Sequence, residues 1–139
     1  MNAALRPLRR QVRADERGSA TVEMVIATPV LLLLILLVVQ FAMWQHSVHV
    51  AQAAASQGLA AARVQGGTAE AGQGEANVVL GQHTSGVLMH PSVRVRRGAN
   101  TTTVTVTGEA QSVIPFLHLP VHATASGPVE RFRAPGAGP

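Results

Sequence analysis

Residues 24–44, MVIATPVLLLLILLVVQFAMW, form a run of 21 without a single charged side chain. At a rise of 1.5 Å per residue, a helix of that length spans about 30 Å, the thickness of a bilayer's hydrocarbon core. Backbone polar groups in lipid must be bonded internally, so the run is expected to be a transmembrane helix. Pro29 lies inside it and has no N–H, which leaves the Val25 carbonyl without its helical partner and predicts a kink. Thr28 offers a hydroxyl that could repair the defect. Gln40 is read as a polar residue near the outer interface, one turn before Trp44, whose indole suits the headgroup level.

The flanks orient the span. Five of the 11 arginines (Arg6, Arg9, Arg10, Arg13, Arg17) precede Gly18, and no charge occurs between Trp44 and Arg63. The positive-inside rule therefore expects a single pass, with residues 1–18 a basic cytoplasmic leader, 19–44 the membrane helix and 45–132 outside. A cleaved secretory signal ending near Ala51-Gln52-Ala53 fits less well, because the apolar run is too long and His46 and His49 intervene. Arg9-Arg10 supplies only the dipeptide of a twin-arginine signal. The pI of 11.6 does not point to nucleic acid, since the charge is concentrated in the leader and three Phe and one Trp offer no stacking platform. The absence of Cys excludes disulfides and thiolate metal sites.

Glu23 directly abuts the apolar run, an expensive place for a carboxylate without a partner. Gly18, Ser19 and Glu23 together, after an Arg-rich leader, resemble a type IV prepilin cleavage site, where a membrane aspartyl peptidase cuts after the Gly. Gly lacks a Cβ and permits the close approach a protease cleft needs. Cleavage would free the Ser19 amine, and Glu23 lies four residues along the same helix face. That resemblance implies that Glu23 neutralises the Ser19 amine of an adjoining subunit. The simpler alternative makes Gly18 the residue before the helix and Glu23 a partner of the helix dipole.

Beyond Trp44 the helix is expected to continue, from about Ala20 to Val64. Val48, Ala51, Ala55, Leu59 and Ala62 form a stripe of mostly small side chains that would let another backbone approach. Gly58 reads as a weak point in it, and His46 and His49 as surface residues rather than metal ligands. Gln65-Gly66-Gly67-Thr68 is a stop signal. Residues 69–89 permit a second, poorer helix on a face of Ala76, Val79, Leu80 and His83; Gly72, Gly74, Gly81 and Gly86 weaken it, so it is expected only over about 75–83. Alternation then changes to period two: residues 92–97 and 101–107 predict a hairpin turning at Gly98-Ala99-Asn100, with Val93, Val95, Val104 and Val106 inward. Residues 112–120 are too proline-rich for a central strand, 121–125 could add a third strand, and 133–139 read as a disordered tail.

The stretch RGSATVEMVIATPVLLLLILLVVQFAMW, its continuation VAQAAASQGLAAARV, the hairpin VRVRRGANTTTVTVTGEA and the close GPVERF together resemble the TadE-like proteins of tight-adherence (Tad/Flp, type IV-like) pilus systems. The resemblance implies an α+β, pilin-like fold: a long N-terminal transmembrane helix continuing into the exported domain and packed on a small antiparallel sheet. It further implies a pseudopilin, a substrate of prepilin peptidase, taking part in assembly of an adhesive pilus or related secretion apparatus. Its partners would be other pilin-like subunits, the assembly machinery and the membrane, with possible incorporation in a surface pilus. Ser19 and Met24 stand where major pilins favour Phe, which fits a minor or assembly role.

No catalytic residues, metal site or cofactor are expected. The acidic residues after Glu23 (Glu70, Glu75, Glu109, Glu130) are scattered, and Pro120 breaks the helical spacing of His118 and His122. The alternative to a pilin-like subunit is a permanently anchored envelope protein whose non-catalytic domain binds a partner through Arg94, Arg96 and Arg97.

Overall fold

The computed structural model describes residues 6–83 and 86–131, with side chains described from Gly18 and not at His83. The expected disordered tail, Phe132 and the first five residues of the leader lie outside the described residues. In chain order the elements are α1 (Arg6–Arg63), α2 (Ala69–His83), β1 (Leu88–Arg97), β2 (Thr101–Ala110) and β3 (Leu119–Pro128). The chain divides into two units, Met1–Val38 and Val39–Pro139.

The first unit is part of α1. Among the described residues, Gly18–Arg63 is the one stretch long and apolar enough to cross a membrane, and none of its most apolar window is buried. The expected helix start near Ala20 is corrected: α1 already begins at Arg6. Arg, Leu, Gln, Glu and Ala are good helix formers, Pro7 falls in the first turn where its missing N–H costs nothing, and one Gly at 18 costs only about 1 kcal/mol.

The second unit is a three-stranded antiparallel meander, order β1-β2-β3, covered by α2 and the later turns of α1. This is the expected α+β layout. Val50, Ala51, Ala54 and Ala55 of α1 join Ala76 and Leu80 of α2 and Val104, Val106, Val121 and Ala123 of the sheet in one core. Val48, Ala51, Ala55 and Leu59 of the stripe read from sequence thus pack into the core with the chain's own sheet, Ala62 faces Gly72 of α2, and Val50 and Ala54 are unforeseen members.

Gly58 is corrected from a weak point to a packing point. A Cβ on Gly58 would sit 2.8 Å from the Gly72 carbonyl oxygen, and one on Gly72 would sit 2.7 Å from the Gly58 oxygen and 2.6 Å from Ala62 Cβ. The two helices therefore meet backbone to backbone, which only paired glycines allow. The same contact explains why α2 starts at Ala69 rather than near Glu75: its glycines do not stop it, because packing outweighs a propensity loss of about 1 kcal/mol each. Thr68 caps α2, its Oγ1 accepting from the Ala71 N–H at 3.1 Å. Hydrogen bonds from the Glu70 backbone N–H and the Thr68 hydroxyl hold the exposed Glu70 carboxyl below the usual range, against a small opposing effect of desolvation.

Both expected strands of the hairpin form, in the expected facing, but β1 reaches back to Leu88 across a bulge between Met89 and Ser92. His90 takes φ 49° there. The extension was hidden because Pro91 breaks the alternation, and a bulge on an edge strand is where Pro is tolerated. β3 pairs with β2 along its whole length, so Pro120 and Pro128 also lie on an edge.

Candidate functional site

Three places carry the side chains of interest. The first is the start of the apolar run. Gly18, Ser19 and Glu23 are all exposed on α1. A Cβ built on Gly18 would meet nothing within 4 Å, so no contact in the fold requires a glycine there. Because α1 begins twelve residues earlier, at Arg6, Gly18 is not the residue before a helix, and the reading of Glu23 as a first-turn dipole partner loses its basis. Among the described side chains none forms an ion pair with Glu23; the ion pair they contain joins Arg63 and Glu130 at 3.7 Å. Pro29 sits within α1, and the Thr28 hydroxyl donates to the Met24 carbonyl at 2.8 Å rather than to the Val25 carbonyl that Pro29 leaves unpaired.

The second place is Gln40, which sequence reasoning took for an interface residue. It is 1% exposed. Its Oε1 accepts from the Val113 N–H at 2.7 Å and the Ile114 N–H at 3.3 Å, and its Nε2 donates to the Gln111 carbonyl at 3.2 Å. One amide thereby satisfies two N–H donors and one carbonyl acceptor of the β2–β3 loop that the sheet does not pair. Trp44 Nε1 donates to the Pro120 carbonyl at 3.1 Å, so the indole is bonded to β3, and its ring lies 5.8 Å from that of Phe41. Buried Ser47 Oγ stands 2.8 Å from the Val87 carbonyl and 2.9 Å from that of Met43, its one proton serving either. A lone Gln in an apolar run was the available signal, and it has two equally valid readings.

The third place is the C-terminal end of α1. Arg97 Nε donates to the Ala62 carbonyl at 2.8 Å and its guanidinium reaches the Val64 carbonyl at 3.3 Å. Carbonyls there have no helical donor, and a cation favours that end of the helix dipole. Gly66, with φ 77°, ends the helix as expected. Residues 129–131 fasten onto the same corner: Glu130 N–H donates to the Arg63 carbonyl at 2.8 Å, Val129 N–H to the Asn100 carbonyl at 3.0 Å, and Arg131 to Ala99 and Asn100. Arg97 is thus a structural residue through its bonds to the end of α1, although it is exposed like Arg94 and Arg96. His46 and His49 on α1, His118 in the β2–β3 loop and His122 on β3 are all exposed. Among the described residues no three His, Asp or Glu gather into a metal-holding group.

An exposed run within α1, uncharged from Met24 and long and apolar enough to span a membrane, precedes a helix-on-sheet domain, an α+β layout consistent with a pilin-like fold. Residues 18–60 match the family model of the TadE-like proteins, so the resemblance read from the residues holds over that stretch, and it suggests involvement in Tad pilus assembly. No curated protein and no solved structure matches the chain.

Proposed function

We propose that the chain is a minor pilin or pseudopilin of a tight-adherence pilus or related secretion apparatus. In this reading it is inserted with its N-terminus cytoplasmic and cut by prepilin peptidase after Gly18. It has no catalytic role, needs no cofactor or metal, and works by packing against other pilin-like subunits. The observation that carries it is Gly18 itself. A glycine inside a helix costs about 0.5–1 kcal/mol relative to Ala, and nothing in this fold needs the space it leaves. A requirement imposed by a processing enzyme accounts for it, and the match to the TadE-like family model opens at the same residue. Pro29, in the middle of the exposed run, supports a kinked span that a neighbouring helix could complete.

After cleavage, Glu23 would pair with a Ser19 amine in a neighbouring subunit. Breaking a buried pair by removing one partner costs about 3–5 kcal/mol, since the other charge is stranded. Glu23→Gln should therefore insert and be cleaved normally yet lose co-purification with partner pilins. Equal assembled fractions for wild type and Glu23→Gln would remove that role. The helical setting of Gly18 favours the second reading, a permanently anchored envelope protein, because a peptidase must first unwind α1 locally. In that case Arg94 and Arg96 are the exposed cations a partner would meet, with Arg97, also exposed, already bonded to the end of α1.

A further inference from the structure

The β2–β3 loop presents its one aromatic side chain outward at a conformational cost. Ile114, Pro115, Phe116 and Leu117 form a β-turn closed by the Leu117 N–H donating to the Ile114 carbonyl at 3.2 Å. Phe116 occupies the third position with φ 68° and is 96% exposed. Pro at the second position and a positive φ at the third is the type II pattern, in which Gly is the unstrained choice. A bulky residue with positive φ is a genuine outlier, and such strain persists only where the surroundings hold it. Here Gln40 holds it, bonding to the backbone of Gln111, Val113 and Ile114 from within α1.

That clasp also fixes where the loop lies. Gln40 stands between Val39 and Phe41, which are exposed and belong to the last two turns of the uncharged run. Val113, also exposed, is held against the same turn by its own N–H. Of the chain's four aromatics, Phe41, Trp44 and Phe116 gather at this end of the domain, through the Gln40 bonds and the Trp44 bond to Pro120. Aromatic residues at the end of an apolar span are the usual occupants of the membrane–water interface.

We propose that the loop over residues 112–118 is a second membrane contact, with Phe116 and Val113 entering the interfacial layer of the bilayer that α1 crosses. The occupant is lipid because the loop's exposed apolar atoms continue the apolar surface of residues 39–41 at the same level. The inference rests on the reading of α1 as a membrane span. In that arrangement the domain is held close to the bilayer at two points, α1 and the loop, rather than swivelling on one helix.

The chain has no cysteine, so single introduced ones carry a nitroxide label uniquely. The full chain is reconstituted in phosphatidylcholine–phosphatidylglycerol vesicles with a label at Leu33→Cys, Val113→Cys or Ala60→Cys. Ala60 is exposed and lies about 30 Å along α1 from Gln40 by the helical rise. Collisions with oxygen report lipid and collisions with a water-soluble nickel chelate report solvent. The expected result is that Val113→Cys favours oxygen as Leu33→Cys does, opposite to Ala60→Cys. Adding Phe116→Gly, which relieves the turn, should move only the Val113 label toward the nickel chelate. A Val113 label that reads as aqueous while Leu33 reads as lipid overturns the loop contact and leaves the span standing. Aqueous readings at both positions overturn both. A Val113 label shielded from both reagents overturns lipid as the occupant in favour of a second copy of the chain.

Discussion

Replacing Gln40 by Leu isolates what the buried amide contributes, because the two side chains are close in volume and no cavity is opened. The substitution deletes three side-chain to backbone hydrogen bonds, of 2.7, 3.2 and 3.3 Å. Each is worth about 0.5–1.5 kcal/mol net, and a donor left unpaired out of water costs about 1–3 kcal/mol. Val113 is exposed and its N–H can turn to solvent, whereas Ile114 is half-buried. The sum is therefore discounted to about 2–3 kcal/mol. For a domain of this size, about 4–8 °C of Tm accompanies each kcal/mol, so Tm should fall by about 10–20 °C. The assay is thermal unfolding of the full chain in detergent micelles, followed through the sheet rather than α1, with amide hydrogen exchange of Val113 and Ile114 alongside. Their exchange should quicken even where the fold is intact. A Tm within about 3 °C of wild type, with unchanged exchange at both amides, would refute the clasp.

The two helices offer a matched pair of substitutions. Gly72→Ala places a methyl 2.6 Å from Ala62 Cβ and 2.7 Å from the Gly58 carbonyl oxygen and should destabilise by about 1–3 kcal/mol. Gly74→Ala, on the same helix with nothing within 4 Å, should stabilise by up to about 1 kcal/mol; denaturant midpoints of the two variants should move in opposite directions. Glu70 gives a pH dependence: its folded pKa is depressed, so its contribution is present above the unfolded carboxylate range and lost as pH falls through the folded value. Stability of wild type minus Glu70→Gln should accordingly shrink as pH is lowered from neutral through the carboxylate range, read from paired melts.

What the sequence disclosed was local. The span follows from an uninterrupted run, the end of α1 from Gly66, and the hairpin from period-two alternation across a Gly-containing turn. Each of these signals is complete within a few residues. Gln40 was misread because its partners are 71–74 residues away and a polar residue near the end of a span has an adequate explanation without them. Gly58 and Gly72 were read one at a time as helix-weakening, and their meaning appears only when the two backbones meet. The start of β1 was obscured by a bulge whose Pro91 imitates a strand end. Arg97 was grouped with Arg94 and Arg96 by proximity in sequence, although its role depends on where α1 ends. At the candidate processing site, the residue types were legible, but not that Gly18 would lie well inside a helix.

The central claim is that Gly18 marks the boundary of a removable leader. The most direct test is the intact mass and N-terminal sequence of the full chain extracted from membranes of cells that carry its prepilin peptidase. The wild-type chain is expected to begin at Ser19, and Gly18→Leu, which the open surroundings of Gly18 accommodate without disturbing the fold, to keep its leader. A wild-type chain that retains residues 1–18, with the same N-terminus as Gly18→Leu, would contradict the pilin reading.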